Sequence, residues 1–155
     1  MYYDYLDTQL GILEIVFDEE YILGVGFVNQ KQKASPSTLS KQAVKELGEY
    51  FEGKRKTFSL PLYMQGTEFQ KQVWKALQDI PYGQTCSYKD IAVKIGKPNA
   101  SRAVGQANNK NPLSILVPCH RVIGALGNLV GYGGGLNRKE WLLEMEKGIL
   151  EKDRK

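Results

Sequence analysis

Apolar and polar positions set the first elements of the chain before any chemistry is considered. Tyr2 to Phe17 carries Leu10, Ile12, Leu13, Ile15, Val16 and Phe17 and predicts one strand. Asp18-Glu19-Glu20 is a polar turn, and Tyr21 to Val28 predicts a second strand, so the two make an antiparallel hairpin. Gly24 and Gly26 weaken the second strand and mark a bulge. Asn29 to Pro36 is polar and ends on a Pro stop, which reads as a loop. The period then changes. Leu39, Ala43, Leu47 and Tyr50/Phe51 recur at helical spacing, with Ser37 as the cap and Gly53 as the end. Thr57 to Leu62 alternates Phe58, Leu60 and Leu62, a short strand before a linker at Met64–Gly66. No catalytic residue types cluster in this half, and its Tyr side chains read as packing.

The pattern of the second half is helical and closely punctuated. Thr67-Glu68-Phe69-Gln70 has the form of a capping box and opens a helix with Phe69, Val73, Ala76, Leu77 and Ile80 on its apolar face. Pro81-Tyr82-Gly83 breaks it. Ser87-Tyr88-Lys89-Asp90 caps a short helix carrying Ile91, Ala92 and Ile95, which Gly96 ends. Pro98 suits a first helical turn, and the next helix runs from Asn99 to about Asn108. Two short helices around a Gly-containing turn, in a window rich in Lys and Arg, fit a helix-turn-helix; a generic helix pair is the plain alternative. Ala100, Ala103, Gly105 and Ala107 give the second helix a smooth face from which Arg102 alone projects. Gly124 to Gly135 is a glycine-rich loop lacking phosphate-binding spacing. Asn137-Arg138-Lys139-Glu140 opens a last helix through Gly148, with Trp141, Leu142 and Met145 inward, and 151–155 reads as a charged, frayed tail.

One stretch carries chemistry. Ile115-Leu116-Val117 predicts a buried strand, and Pro118, without an N–H, stops its ladder. Cys119, the only His of the chain (His120) and Arg121 follow consecutively. On the plain reading, Cys119 is a small core residue, His120 a surface polar group and Arg121 a solvated charge. Against it, the Pro fixes the backbone beside the thiol, and the adjacent imidazole favours a thiolate from an ordinary pKa of about 8.5. Neighbouring side chains of an extended segment face apart, so contact between thiol and imidazole needs a turn or a bridging water. Spacing alone points to a reactive thiol.

Composition and charge add limits. With 155 residues, 42% of them apolar, the chain can build one domain or two small ones around a real core. No apolar run reaches a membrane span and no signal-peptide pattern opens the chain, which predicts a cytoplasmic protein with no membrane partner. Two Cys in that setting predict free thiols, and with one His they are too few for structural zinc, so no metal and no cofactor are expected. Residues 1–65 hold seven Lys/Arg against nine Asp/Glu, and residues 66–155 hold fourteen against eight, nets of −2 and +6 that sum to +4. A basic second half fits an anionic partner; a solvated Lys-rich surface fits it equally.

Pro118-Cys119-His120-Arg121-Val122 closely resembles the active-site signature of the O6-alkylguanine DNA alkyltransferases, the methylated-DNA–protein-cysteine methyltransferase family. Asn111-Pro112, Gly134-Gly135-Leu136 and Phe69-Gln70-Lys71-Gln72-Val73-Trp74 fall where that family has its matching motifs, and the resemblance is continuous from about Phe69 to Glu146. It implies an α+β fold: a small RNase H-like antiparallel sheet domain (1–65), then a mostly helical domain (66–150) with a helix-turn-helix and the active-site Cys. It further implies single-turnover repair of double-stranded DNA by a monomer, with the alkylated guanine flipped into a pocket from the minor groove.

By the same resemblance, Cys119 is the nucleophile, His120 its base acting through a water, and Glu146 the acid that orients the His. Asn111 holds the turn around the Cys, and Tyr88 protonates the departing guanine. Ser101, Arg102, Ala103 and Gly105 match the recognition helix, with Arg102 filling the gap left in the base stack, and Lys89 joins them as a DNA contact. Tyr132, Gly133, Gly134, Lys139 and Val122 line the base pocket. Gly133 stands where many members have Ser. Glu140 and Glu144 read as solvated charges, and Cys86 as a small core residue in a turn. Three rivals remain: a lesion-binding protein without transfer, which the Cys argues against; a Cys–His hydrolase, which has no need of a basic helix-turn-helix; and a DNA-binding regulator, which leaves the thiol idle.

Overall fold

The computed structural model describes residues 1–154. The chain is α+β and divides into two compact units, Met1–Met64 and Gln65–Lys155. In the first, β1 (Tyr2–Thr8), β2 (Gly11–Phe17) and β3 (Ile22–Val28) form an antiparallel sheet in sequence order. The stretch expected to be one strand from Tyr2 to Phe17 is therefore two. Thr8 Oγ1 accepts from Leu10 N at 3.0 Å and donates to Gly11 O at 2.8 Å, closing a turn that Gly11 completes at φ 125°. Leu10, counted as a strand residue, sits in that turn. The ladder slips between Val16 and Phe17, opposite Gly24, so the bulge expected of the glycines adjoins Gly24 and not Gly26.

On β2 the side chains alternate as a half-buried strand requires. Leu13, Ile15 and Phe17 are buried against Ala43, Leu47 and Tyr50 of α1 (Thr38–Phe51), each worth about 1.5–3 kcal/mol for the larger side chains. Ser37 and Ser40 cap α1 reciprocally. The strand expected at Thr57–Leu62 reduces to a single bridge between Leu62 and Ile22. Burial does alternate there, but Ser59 N donates to the buried Glu46 carboxylate (2.8 Å) and Pro61 has no N–H, so no ladder can extend.

The second unit begins with α2 (Glu68–Gln78), opened by the predicted Thr67/Gln70 capping box. Its core face includes Trp74, whose Nε1 donates to Ala107 O at 2.8 Å and fastens α2 to α4. α3 (Tyr88–Lys94) is capped by Ser87 with Asp90, and α4 runs Ser101–Asn109. Pro98 lies outside α4. Ala100 N bonds Lys97 O at 2.9 Å, making Pro98-Asn99 the middle of a tight turn before the helix. Cys86, expected in a turn, instead forms β4 with the capping Ser87, and β4 pairs in parallel with β5 (Val122–Ile123). α5 runs Leu136–Asp153 from a Gly135 cap at φ 96°. It passes the expected end at Gly148 and takes in most of the expected tail, because Leu150 packs against Gly83 and carries the helix on; Lys155 lies outside the described residues.

Candidate active site

The predicted strand at Ile115-Leu116-Val117 is a buried tight turn. Ile115 adopts φ 73°, Leu116 N bonds Ser114 O at 2.8 Å and Val117 N bonds Leu113 O at 2.9 Å. A β-branched residue in the left-handed region carries strain that its surroundings must hold. Asn111 supplies the clamp: its Oδ1 accepts from Leu113 N at 3.0 Å and its Nδ2 donates to Val117 O at 2.8 Å. The apolar run encodes burial, which is present, and not extension.

After Pro118 the chain tightens into one 3₁₀ turn, Cys119–Arg121, closed by Arg121 N to Pro118 O at 3.0 Å. The extended geometry expected here, with neighbours facing apart, does not occur. Cys119, His120 and Arg121 are all buried, at 4%, 0% and 6% exposure. His120 is thus no surface group and Arg121 no solvated charge. Asn108, at the end of α4, donates to Cys119 O at 3.3 Å and ties the turn to the helix-turn-helix.

Glu146 reaches in from α5 and gathers four donors. His120 Nε2 lies 2.6 Å from its Oε2; Arg121 Nε donates to Oε1 at 2.8 Å and Nη2 to Oε2 at 3.0 Å; Gly83 N donates to Oε1 at 3.1 Å. Burial alone raises the Glu146 carboxyl, but His120 and Arg121 outweigh it and hold the group well below the usual carboxylate range. His120 is pushed the other way: burial lowers its proton affinity, and Glu146 only partly restores it. Burial pushes the Cys119 thiol up to about 11, against the opposing pull of the Asn111 side chain and the Lys139 charge.

Lys139 is buried on α5. Its Nζ donates to the carbonyls of Val122 and Val130, and desolvation lowers it to about 8. The Tyr88 hydroxyl donates to the same Val130 oxygen at 2.8 Å, so α3 and α5 both grip the glycine-rich loop. Tyr132 is buried, its proton held more tightly through burial and the nearby Cys119. A Cβ at Gly134 would lie 2.6 Å from the Tyr132 ring, so only Gly fits there; one at Gly133 would meet Asn109 O at 3.2 Å.

Of the residues expected from the sequence, Cys119, His120, Glu146, Asn111, Tyr88, Tyr132, Gly134, Lys139 and Val122 come together around the 3₁₀ turn and its glycine-rich wall. Gly133 is exposed on that wall. The other group forms a separate surface. Arg102 and Ala103 are exposed on the first turns of α4, Ser101 is half-buried, and Gly105 rests against the Tyr88 ring. Ala107 does not belong to this surface: it is buried beneath Trp74. Lys89 is exposed and donates to Pro98 O, bracing the turn between α3 and α4. Glu140 and Glu144 are exposed, as expected of solvated charges. The sequence reading gave Arg121, Asn108 and Gly83 no role here. Only its place two residues after the thiol pointed to Arg121, and its partners lie 25 and 41 residues away.

Two family models match the chain: the DNA binding domain of 6-O-methylguanine DNA methyltransferase over residues 68–148, and its ribonuclease-like domain over residues 1–64. A methylated-DNA–protein-cysteine methyltransferase of Methanosarcina barkeri is 45% identical, over 97% of this chain and 99% of the relative. The protein of that name from Mycobacterium tuberculosis is 46% identical, over 99% and 96%. Among solved structures, the M. tuberculosis O6-methylguanine methyltransferase aligns with TM-score 0.87 at 44% identity, covering 95% of this chain and 93% of that one. The M. tuberculosis OGT in complex with DNA aligns with TM-score 0.90 at 45% identity, covering 96% and 94%. Matched in both halves and along nearly its whole length, the chain belongs to the 6-O-methylguanine DNA methyltransferase family.

Proposed function

We propose that this protein repairs DNA by moving the alkyl group of O6-alkylguanine onto Cys119, once per chain and as a monomer. The observation that carries this reading is a buried thiol followed directly by a buried imidazole whose Nε2 is bonded to Glu146. Displacement at a saturated carbon needs a soft nucleophile in line with the carbon–oxygen bond. With burial pushing its thiol up to about 11, Cys119 rests protonated at neutral pH, so a base must take the proton. His120 is that base. Its Nε2 is committed to Glu146, so Nδ1 receives the proton, relayed from the thiol by a water. The sulfur–carbon bond then forms as the carbon–O6 bond breaks, and the electron pair departs with the guanine, which takes a proton from Tyr88. Lys139, cationic near the sulfur, favours the thiolate.

A thiol exposed by only 4% cannot meet a base inside a duplex, so the lesion must leave the stack. The basic second unit, with its helix-turn-helix and exposed Arg102, supports DNA as the partner. Arg102 fills the vacated space, and α4 lies along the minor groove. The product is a thioether, for which the site holds no resolving thiol, so the reaction ends after one turn.

Incubation with a duplex bearing one O6-methylguanine, followed by peptide mass spectrometry, tests the reaction. One methyl per chain on the peptide containing Cys119 is expected; repaired DNA with unmodified protein would overturn it. Arg102→Ala should slow repair in duplex by about 10- to 100-fold, the unstacking cost of a few kcal/mol no longer being offset. Transfer from a free O6-alkylguanine base should stay unchanged, and equal losses on the two substrates would remove the wedge role.

A further inference from the structure

Arg121 is next to the reacting pair, yet the reaction just described assigns it no task. Its guanidinium is almost fully buried and held on three sides: both Glu146 oxygens take its Nε and Nη2, Ile80 O accepts from Nη1 at 2.8 Å, and the Tyr82 ring lies 5.5 Å from its centre. Glu146 Oε2 is therefore shared between the imidazole and the guanidinium. This matters for where a proton rests. A buried carboxylate left alone with an imidazole draws a proton into the pair, and an imidazole already protonated cannot accept one from a thiol. A guanidinium spread across both oxygens compensates the carboxylate and weakens that draw.

We propose that Arg121 is a positioning residue for alkyl transfer: its fork on Glu146 keeps the Glu146–His120 pair from taking up a proton at rest, so that His120 is neutral and ready for the proton of Cys119. The proposal rests on the reading of His120 as base. Each proton is accounted for. The S–H bond breaks, the proton ends on Nδ1, thiolate and imidazolium form together, and Glu146 and Arg121 keep their charges. The other groups facing the pair act more weakly or start neutral. Lys139 on α5 lowers the proton affinity of His120 from a distance, while Tyr82 from the α2–α3 connection, Tyr132 from the glycine-rich loop and Cys119 are uncharged at rest. The direction of the His120 shift agrees: burial, Arg121 and Lys139 lower it against Glu146.

The chain's single His makes the test direct, since one imidazole titration by NMR reads His120 without substrate. Arg121→Met should raise its midpoint by about one pH unit or more, and Arg121→Lys, which keeps a charge but loses the planar fork, by less. The single-turnover transfer rate of the Met variant should then fall about threefold at pH 7 once the midpoint reaches about 7.5, and recover toward wild type near pH 9, as the acid limb of the profile moves up. Should the Met variant fail to fold, the Lys variant decides alone. An unmoved His120 midpoint, or a rate loss equal at every pH, overturns the proposal. Failure of the functional reading shows separately, as wild-type protein that takes up no alkyl group.

Discussion

Cys119→Ser should take alkyl uptake from one equivalent per chain to none, with duplex binding retained. Serine is close in size, and the site is packed, so the fold should lose no more than about 1–2 kcal/mol, the usual range for one substitution. Chemistry is what disappears. A serine hydroxyl holds its proton far more tightly than a thiol, and a neutral imidazole leaves it a neutral hydroxyl, a poor nucleophile toward a saturated carbon. On the proposed function the exposed face of α4 meets the DNA, and the substitution leaves that face untouched, so affinity in fluorescence anisotropy should be unchanged within about threefold. Cys86→Ser serves as the control and should still accept one alkyl group. Cys86 is half-buried, its thiol pushed up to about 11 by burial and by Asp90, with no imidazole next to it in the chain. Transfer surviving in the Cys119 variant, or lost in the Cys86 one, would put the nucleophile elsewhere.

The fold was legible wherever one local signal decided it. Caps at Ser37 and Ser87 and the capping box at Thr67 announce three helices because the hydrogen bonds involved span only three residues. Signals failed where an apolar residue serves a turn. Leu10 sits between Thr8 and Gly11, and its side chain argues for a strand that the Thr8 hydroxyl closes off. Ile115, Leu116 and Val117 read as a strand for the same reason. A short apolar run states that a segment is buried, and here the extended conformation is overruled by Asn111, which satisfies the turn's backbone from outside it. Pro98 carries an ambiguous signal, since Pro suits both the first turn of a helix and the tight turn it occupies.

The site was legible as a set of residue types and illegible as a network. Resemblance marked Cys119, His120, Glu146, Asn111, Tyr88 and Lys139, and all of them meet around one 3₁₀ turn. What spacing cannot convey is that the turn buries Arg121 along with its neighbours. An Arg after Cys-His is, on its own, a charge expected in water. Its burial depends on Glu146, Ile80 O and Tyr82, contributed by a distant helix and a loop. The residue that makes this affordable is Glu146, whose oxygens bind His120, Arg121 and Gly83; helical spacing sets it on the buried face of α5 one turn after Leu142, apart from the exposed Glu144, but does not name those partners.

Glu146→Ala should therefore cost about 3–5 kcal/mol of folding stability at pH 7, the range for removing one partner of a buried ion pair. The side chain is fully buried, and its loss leaves the Arg121 guanidinium, almost as deeply buried, without an anion. Acid should then act differently on the two proteins. Because the Glu146 carboxyl is held below its unfolded value of about 4.5, its stabilising contribution is complete above pH 4.5 and is lost as pH falls toward the folded value. His120 has the same sign: the unfolded chain binds its proton near pH 6.5 while the folded chain resists it, so stability falls as pH drops below 6.5. Wild type should show a plateau at neutral pH and a two-stage decline. The variant lacks the lower stage, so its deficit should shrink below pH 4.5. Urea unfolding from pH 3 to 8 measures both. A deficit under about 1 kcal/mol, or parallel curves, would mean that the buried network is not what holds α5 to the Cys119–Arg121 turn. Adding Arg121→Met to the Ala variant should recover part of the loss, since the unpaired charge is then gone; simple additivity would show the two side chains to be energetically independent.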